Sequence, residues 1–272
     1  MPPAESERWR VRPGSSLDLA AIDTRAPTGA PGDKQATVAA SALLTIRLAE
    51  LQERLWAEDR RSVLLILQAL DAGGKDGTVK HVFRGLNPAG VHVTSFKAPS
   101  EDELSHDFLW RVHNRVPARG DIGVFNRSHY EDVLIARVAK LVPEGVWRPR
   151  YDTISAFEGL LAAEGAAVVK IFLHISRDEQ AERLRQRLKD PTKHWKFRVA
   201  DLDVRSQWDE YQVAYAEAIE RTSTDEAPWY VVPANRKWYR NWAVSTILVD
   251  TLERLDPQYP ASPDDLTGIE IL

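Results

Sequence analysis

The stretch Val63–Val79 limits what this chain can fold into more than any other. Val63, Leu64, Leu65, Ile66 and Leu67 follow one another without a polar interruption. A run this short and this uniformly apolar reads as a strand buried on both faces, as in a sheet covered by helices on each side. It leads into Asp71-Ala72-Gly73-Gly74-Lys75-Asp76-Gly77-Thr78, and a helical pattern follows. Strand, glycine-rich turn and helix N-terminus together make an anion site. The glycines (Gly73, Gly74, Gly77) let backbone N–H groups approach phosphate oxygens, and Lys75 adds a point charge.

The turn is close to the phosphate-binding pattern G-x-x-x-x-G-K-[ST] and departs from it twice. Ala69 stands at the first glycine position, and Asp76 stands where a Ser or Thr would hold magnesium. A lysine inside such a turn has little packing use, which favours a ligand-binding turn over a bare strand-to-helix connection.

The chain has 272 residues, a length that suits one large domain or a domain with an inserted lid. Its formal net charge of −4 argues against a nucleic-acid-coating surface. The absence of cysteine excludes disulfides, thiolate metal sites and cysteine nucleophiles. The first residues lack the apolar core of a signal peptide, and no apolar run approaches the roughly 20 residues of a membrane helix, so a cytoplasmic location is expected. Most of the nine tryptophans lie after residue 140, where aromatic packing or stacking should matter more.

Residues 1–34, rich in Pro, Gly, Ala and charge, read as an arm on the surface or partly disordered. Leu44, Ile46, Leu48, Leu51 and Leu55 give a helix over 36–56. After the strand at 62–67 and the glycine turn comes a helix over about 76–86. Asn87-Pro88-Ala89-Gly90 is a turn, and Val91–Phe96 a second strand. Ser100 opens a helix that ends near Pro117. Ile122–Phe125 is a third strand, followed by helix over 129–142. Val168–Ile175 is a fourth strand with a helix beginning at Arg177. Trp229–Val232 is a fifth, and a helix over 238–255 closes the pattern. Strands alternating with helices predict an α/β fold with a parallel sheet covered on both faces. The catalytic unit spans 35–256, and 257–272 form a tail.

Between Arg183 and Arg198 the sequence is strongly basic, with Asp190-Pro191 breaking it in the middle. A basic helix, a break and a second helix suit a mobile lid, at about 183–210, over a polyanion.

Taken together, these motifs resemble the family-2 polyphosphate kinases. The resemblance is carried by Leu70–Thr78, Asn87-Pro88, Ser95-Phe96-Lys97-Ala98-Pro99 and Arg119–Leu134. Further along it is carried by Asp190-Pro191, Lys193, Trp195-Lys196, Asp201, Arg205, Trp208, Tyr211, Pro228-Trp229, Pro233-Ala234 and Arg236-Lys237-Trp238. It covers about 36–255. It implies a P-loop kinase-like three-layer α/β/α sandwich with a central five-stranded parallel sheet and a helical lid. The implied reaction is magnesium-dependent phosphoryl transfer, manganese being a substitute, between inorganic polyphosphate and nucleoside mono- or diphosphates, in a homodimer or homotetramer. Many members carry Asp-Arg-Ser-Trp-Tyr after the third strand. This chain carries Asn126-Arg127-Ser128-His129-Tyr130, and so resembles the members that accept both AMP and ADP.

Phosphoryl transfer needs charge neutralisation and in-line positioning more than covalent chemistry. Lys75 and the turn N–H groups, with Thr78 beside them, are expected to hold phosphate. Asp71 and Asp76 are the first choices for magnesium, and either could instead orient the attacking oxygen. Arg127, beyond the third strand, is assigned to transition-state or nucleotide phosphate charge, Lys97 to a nucleotide phosphate, and Asn126, Glu131 and Asp132 to metal or nucleotide contact. Arg183 and Arg187 share a helix face and could clamp phosphates from above, with Lys193 and Lys196 as the second half of the lid. Lys80, His81 and Arg84 could line a channel for the polyphosphate chain. Trp195 and Trp208 read as lid packing in preference to base contacts, and His129 as structural. Two other readings share the same residues: an ATP-dependent nucleoside monophosphate kinase, and a nucleotide-binding regulator that moves no phosphate.

Overall fold

The structure is a computed structural model and describes residues 4–265 and Thr267. The strands are β1 (Arg10–Val11), β2 (Ser62–Gln68), β3 (Val91–Ser95), β4 (Ile122–Asn126), β5 (Ala166–His174) and β6 (Trp229–Pro233). They form one sheet in the order β1-β6-β5-β2-β4-β3. Every residue of β2 is buried, as its unbroken apolar run requires of a central parallel strand. Strands β2 to β6 are mutually parallel, giving the expected five. The sixth, β1, pairs antiparallel with β6, Arg10 opposite Tyr230.

That sixth strand comes from the stretch read as a surface arm. Residues 4–30 are instead anchored. Trp9, Val11 and Leu19 are buried, and Trp9 Nε1 donates to Tyr239 Oη at 2.9 Å. Proline, glycine and charge set the average composition of the arm, but a few spaced apolar residues decide its position. Pairing with Trp229 and Tyr230 also covers the start of β6, which would otherwise be an open sheet edge. The tail expected over 257–272 falls partly outside the described residues.

The longer helices are α1 (Lys34–Glu58), α2 (Lys75–Val82), α3 (Arg150–Ala163), α4 (Arg177–Lys189), α5 (Ala200–Ser206), α6 (Trp208–Thr222) and α7 (Lys237–Leu255). Helices α1, α2 and α7 pack together on one face of the sheet, while α3 packs on β5 and α6 packs on α3 across the other. The result is a three-layer sandwich.

Three helices expected from the sequence are shorter. The one expected over about 76–86 ends at Val82, with Phe83 as its C-cap. Ser100 opens one with a reciprocal capping box, but only Glu101–Leu104 and Trp110–His113 are helical. Asp107 accepts from Leu109 N between them at 2.9 Å and resets the chain. Residues 129–142 hold a 3-10 turn at His129–Asp132 and one helical turn at Ile135–Val138. Lys140, with φ 53°, ends it. Helices α3 and α6 were not assigned from the sequence.

Candidate phosphate-binding site

Parallel pairing places the carboxyl ends of β2 and β4 side by side, Leu67 opposite Asn126. The glycine turn and Arg127 therefore leave the sheet at the same edge, where open α/β sheets form their crevice. The turn is tight. A Cβ at Gly73 would stand 2.5 Å from Ala69 Cβ and 2.8 Å from Leu70 O, and Gly74 has φ 104°. Only glycine fits the first position without displacement, and glycine is strongly favoured at the second. Gly74 caps α2, so the helix starts at Lys75 with its free N–H groups facing the crevice.

A cavity of about 650 Å³ lies over this edge. Ten basic side chains and two carboxylates line it. The bases are Lys75, Lys97, Arg127, Arg183, Arg187, Lys193, Lys196, Arg198, Lys237 and Arg240, and the acids are Asp71 and Asp76. Such an imbalance in a concave site is an invitation to polyanions.

Lys75 is 9% exposed, and its ammonium donates to Ala69 O at 2.6 Å. Burial pushes it down to about 8, Arg127 adding to the effect and Asp71, Glu131 and Asp76 opposing it. Arg127 sits at φ 63°, its N–H held by Leu67 O at 3.1 Å. Its guanidinium donates to Asp71 Oδ1 at 2.6 Å. Burial would lower Arg127, but Glu131 and Asp71 outweigh it and keep the charge fixed. Asp76 accepts from Asn126 Nδ2 at 2.8 Å and from Lys196 Nζ at 3.0 Å, so the lid reaches down to the start of α2. Arg187 braces this arm by donating to Lys196 O at 3.1 Å. Lys193 pairs with Asp190 at 2.7 Å at the break in the lid. Lys97 lines the wall of the cavity beyond β3.

Several residues stand differently from the sequence reading. All five N–H donors of Arg183 are used within the protein. Nε reaches Glu179 at 2.8 Å, one terminal nitrogen reaches Ala72 O and Gly73 O at 3.0 and 2.9 Å, and the other reaches Ala234 O and Asn235 O at 2.7 and 3.2 Å. Arg183 staples the turn to the end of β6 and has no donor left for a phosphate. The Thr78 hydroxyl donates back to Gly74 O at 3.1 Å. Asp132 faces Arg150 at 3.1 Å and does not line the cavity. Lys80 and Arg84 are exposed and outside the cavity, while His81 lines a neighbouring hollow. Trp208 is buried as packing requires, but Trp195 is 77% exposed, at the mouth of the cavity.

Lys237 and Arg240, from the start of α7, were missed. The signal was present in Arg236-Lys237 opening a helix, where positive charge opposes the helix dipole. Behind Arg127 lies a dry network that was also missed. Lys170 Nζ donates to Glu158 Oε2 at 2.5 Å, Thr222 O at 2.6 Å and Tyr130 Oη at 3.1 Å. Glu158 Oε1 also takes Tyr130 Oη at 2.9 Å and faces His129 Nε2 at 3.2 Å. His129 and Tyr130 follow Arg127 by two and three residues, so this network anchors the loop that presents the arginine.

Among the described residues no group of three or more carboxylate or histidine side chains forms a complete metal cage. Magnesium does not need one, since it is commonly held by one or two carboxylates while phosphates and water complete the shell. Asp71 and Asp76, both lining the cavity, fit that mode, and Asn126 has its amide oxygen free once Nδ2 turns to Asp76.

A family model described as polyphosphate kinase 2 matches residues 32–260. The chain belongs to the polyphosphate kinase 2 family. Within it, the chain is 55% identical over 254 residues to an AMP/ADP-polyphosphate phosphotransferase of Meiothermus ruber, covering 93% of this chain and 95% of that protein. It is 48% identical over 226 residues to an ADP-polyphosphate phosphotransferase of Rhodopseudomonas palustris, covering 79% of this chain and 78% of the relative. The crystal structure of polyphosphate kinase 2 from Arthrobacter aurescens TC1 superimposes with a TM-score of 0.94 at 47% identity, over 98% of this chain and 95% of that one. The P-loop kinase-like sandwich expected from the sequence is thus the fold of the family.

Proposed function

We propose that this chain transfers a phosphoryl group between inorganic polyphosphate and nucleotides, converting ADP to ATP and AMP to ADP. The observation that carries the reading is the cavity itself: ten basic side chains against two carboxylates, enough to gather two polyanions end to end. The AMP/ADP-polyphosphate phosphotransferase at 55% identity supports both acceptors.

In this reading Lys75 leaves the Ala69 carbonyl to bind the phosphate being transferred, beside the N–H groups of Gly74 to Gly77. A terminal oxygen of the acceptor phosphate, already ionised, attacks that phosphorus, and the bridging P–O bond to the remaining chain breaks. No strong general base is needed, because no proton has to leave the nucleophile. Arg127 meets the charge on the transferring group, and Asp71 holds the guanidinium in place. Lys196, Arg187 and Lys193 close over the phosphates and exclude water, which would otherwise compete as acceptor. Asp71 and Asp76 would hold magnesium, or manganese in its place. Bound there, the cation supplies neutralisation of phosphate charge.

Two further parts of the proposal concern the setting. Val38, Leu43 and Ile46 are exposed along α1, which supports a homodimer or homotetramer through that helix. A cytoplasmic location fits the substrates. Among the described residues no helix is long and apolar enough to cross a membrane.

The test is to incubate the purified protein with magnesium and polyphosphate as sole donor, with AMP, ADP or GDP in turn. The expected products are ADP from AMP and ATP from ADP. Transfer to AMP from ATP but never from polyphosphate would make the chain a monophosphate kinase. Tight nucleotide binding without any transfer would make it a regulator.

A further inference from the structure

Three successive main-chain carbonyls of the phosphate turn are held by one helix. Gln180 and Arg183, three apart and so on one face of α4, are both buried. Gln180 Nε2 donates to Asp71 O at 3.1 Å, and Arg183 takes Ala72 O and Gly73 O. The carbonyls on either side are taken locally, Leu70 O by Gly73 N at 2.9 Å and Gly74 O by Thr78 N at 3.0 Å. With its carbonyls occupied from Leu70 to Gly74, the turn has N–H groups to offer a phosphate and no free oxygen to repel one.

The Asp71 carbonyl matters most. It belongs to the peptide that enters Ala72, and Ala72 stands at φ 62°. A residue with a Cβ seldom adopts that conformation and keeps it only where its surroundings hold it. Released from Gln180, the peptide is free to rotate and return Ala72 to negative φ. Asp71 would turn with it, and the Asp71 carboxylate is the partner of Arg127 at 2.6 Å.

Gln180 is itself set from the lid. Arg205, on α5, donates through one terminal nitrogen to Gln180 Oε1 at 3.1 Å and to Arg177 O at 2.7 Å. The amide has one workable orientation, because a main-chain carbonyl only accepts and a guanidinium only donates. Neither Gln180 nor Arg205 lines the cavity. The second half of the lid therefore meets the turn twice. Lys196 reaches the Asp76 carboxylate directly, and Arg205 reaches the Asp71 peptide through Gln180.

We propose that Gln180 is a positioning residue for phosphoryl transfer, through which docking of Arg205 on α4 fixes the Asp71–Ala72 peptide and so the geometry of the phosphate turn. The inference rests on the phosphoryl-transfer reading above. Stability alone does not call for this arrangement. A glycine in place of Ala72 would make the same turn without strain, whereas alanine leaves the turn dependent on its neighbours.

Gln180→Met, Arg205→Met and the double variant test the proposal. Methionine is unbranched like both side chains and lacks their hydrogen bonds. With rates taken well below each melting temperature, kcat should fall about tenfold in either single variant, the scale of one hydrogen bond. KM for nucleotide and for polyphosphate should stay within about twofold, since neither residue touches a substrate. The double variant should be no slower than Gln180→Met, because the two residues act in series. The loss caused by Gln180→Met should shrink in an Ala72→Gly background, where positive φ carries no strain. An unchanged kcat with a lower melting temperature would make Gln180 merely structural and overturn the proposal. So would losses that multiply in the double variant, or an equal loss in the Ala72→Gly background. The backbone amide resonances of Ala72 and Gly73 read the relay without turnover. They should move in Arg205→Met as they do in Gln180→Met, and unmoved resonances in Arg205→Met would also overturn it. If the native protein moved no phosphate from polyphosphate, the functional reading would fall, and the resonances would still decide whether Arg205 sets the turn.

Discussion

Lys170 and Arg240 are both buried cations, and they are treated in opposite ways. Lys170 is fully enclosed, and its three N–H groups have three acceptors, Glu158, Thr222 and Tyr130. Arg240 has a single side-chain acceptor, an amide, and a terminal nitrogen that faces the cavity. Lys75 resembles Arg240, with one carbonyl for three donors. Saturated cations hold the scaffold, and in the proposed reaction the undersaturated ones take up phosphate. The distinction separates Arg183 from Arg187 and Lys196 within one lid.

If that contrast is right, the largest effects belong to turnover. Lys75→Ala and Arg127→Ala should each lower kcat/KM by roughly a thousandfold or more, the scale of lost transition-state charge stabilisation. Neither should lower the melting temperature much, and a large loss of stability in either would place it with the scaffold. Next comes Lys170→Met, which strands Glu158 in a dry interior. Urea unfolding should show a loss of ~3–5 kcal/mol. Pairing it with Glu158→Gln should recover part of that loss. Little loss in the single variant would mean that the network is not holding the loop.

The smallest effect is on pH dependence. Lys75, lowered to about 8, carries its charge below that pH and loses it above. The free enzyme's kcat/KM should therefore fall as pH rises through about 8, by at most tenfold per unit. The opposite sign, activity rising through that range, would show that the neutral amine is the working form.

The turn was readable because strand, glycines and lysine are consecutive, so local spacing sets their geometry. Arg127 was readable as the residue just past a buried strand. The Lys170 network was not. Its members come from positions 129, 130, 158, 170 and 222, and Lys170 looks like an interruption in an apolar strand until Glu158 is opposite it. Helices α3 and α6 do carry apolar spacing, Tyr151, Ile154, Phe157 and Leu161 in one, Trp208, Tyr211, Tyr215 and Ile219 in the other. Polar residues between those positions, and a buried Glu158, blur the first pattern. Arg183 was misread for a related reason. Sequence spacing shows which face of a helix carries an arginine, but not whether backbone carbonyls have already claimed its donors.

The most direct test of undersaturation is a crystal structure with magnesium, ADP and a slowly transferred polyphosphate analogue. The account predicts that Lys75 Nζ will have left Ala69 O for a phosphate oxygen, while Lys170 keeps all three of its partners. Lys75 still on the Ala69 carbonyl, with the phosphates lodged away from the turn, would contradict it.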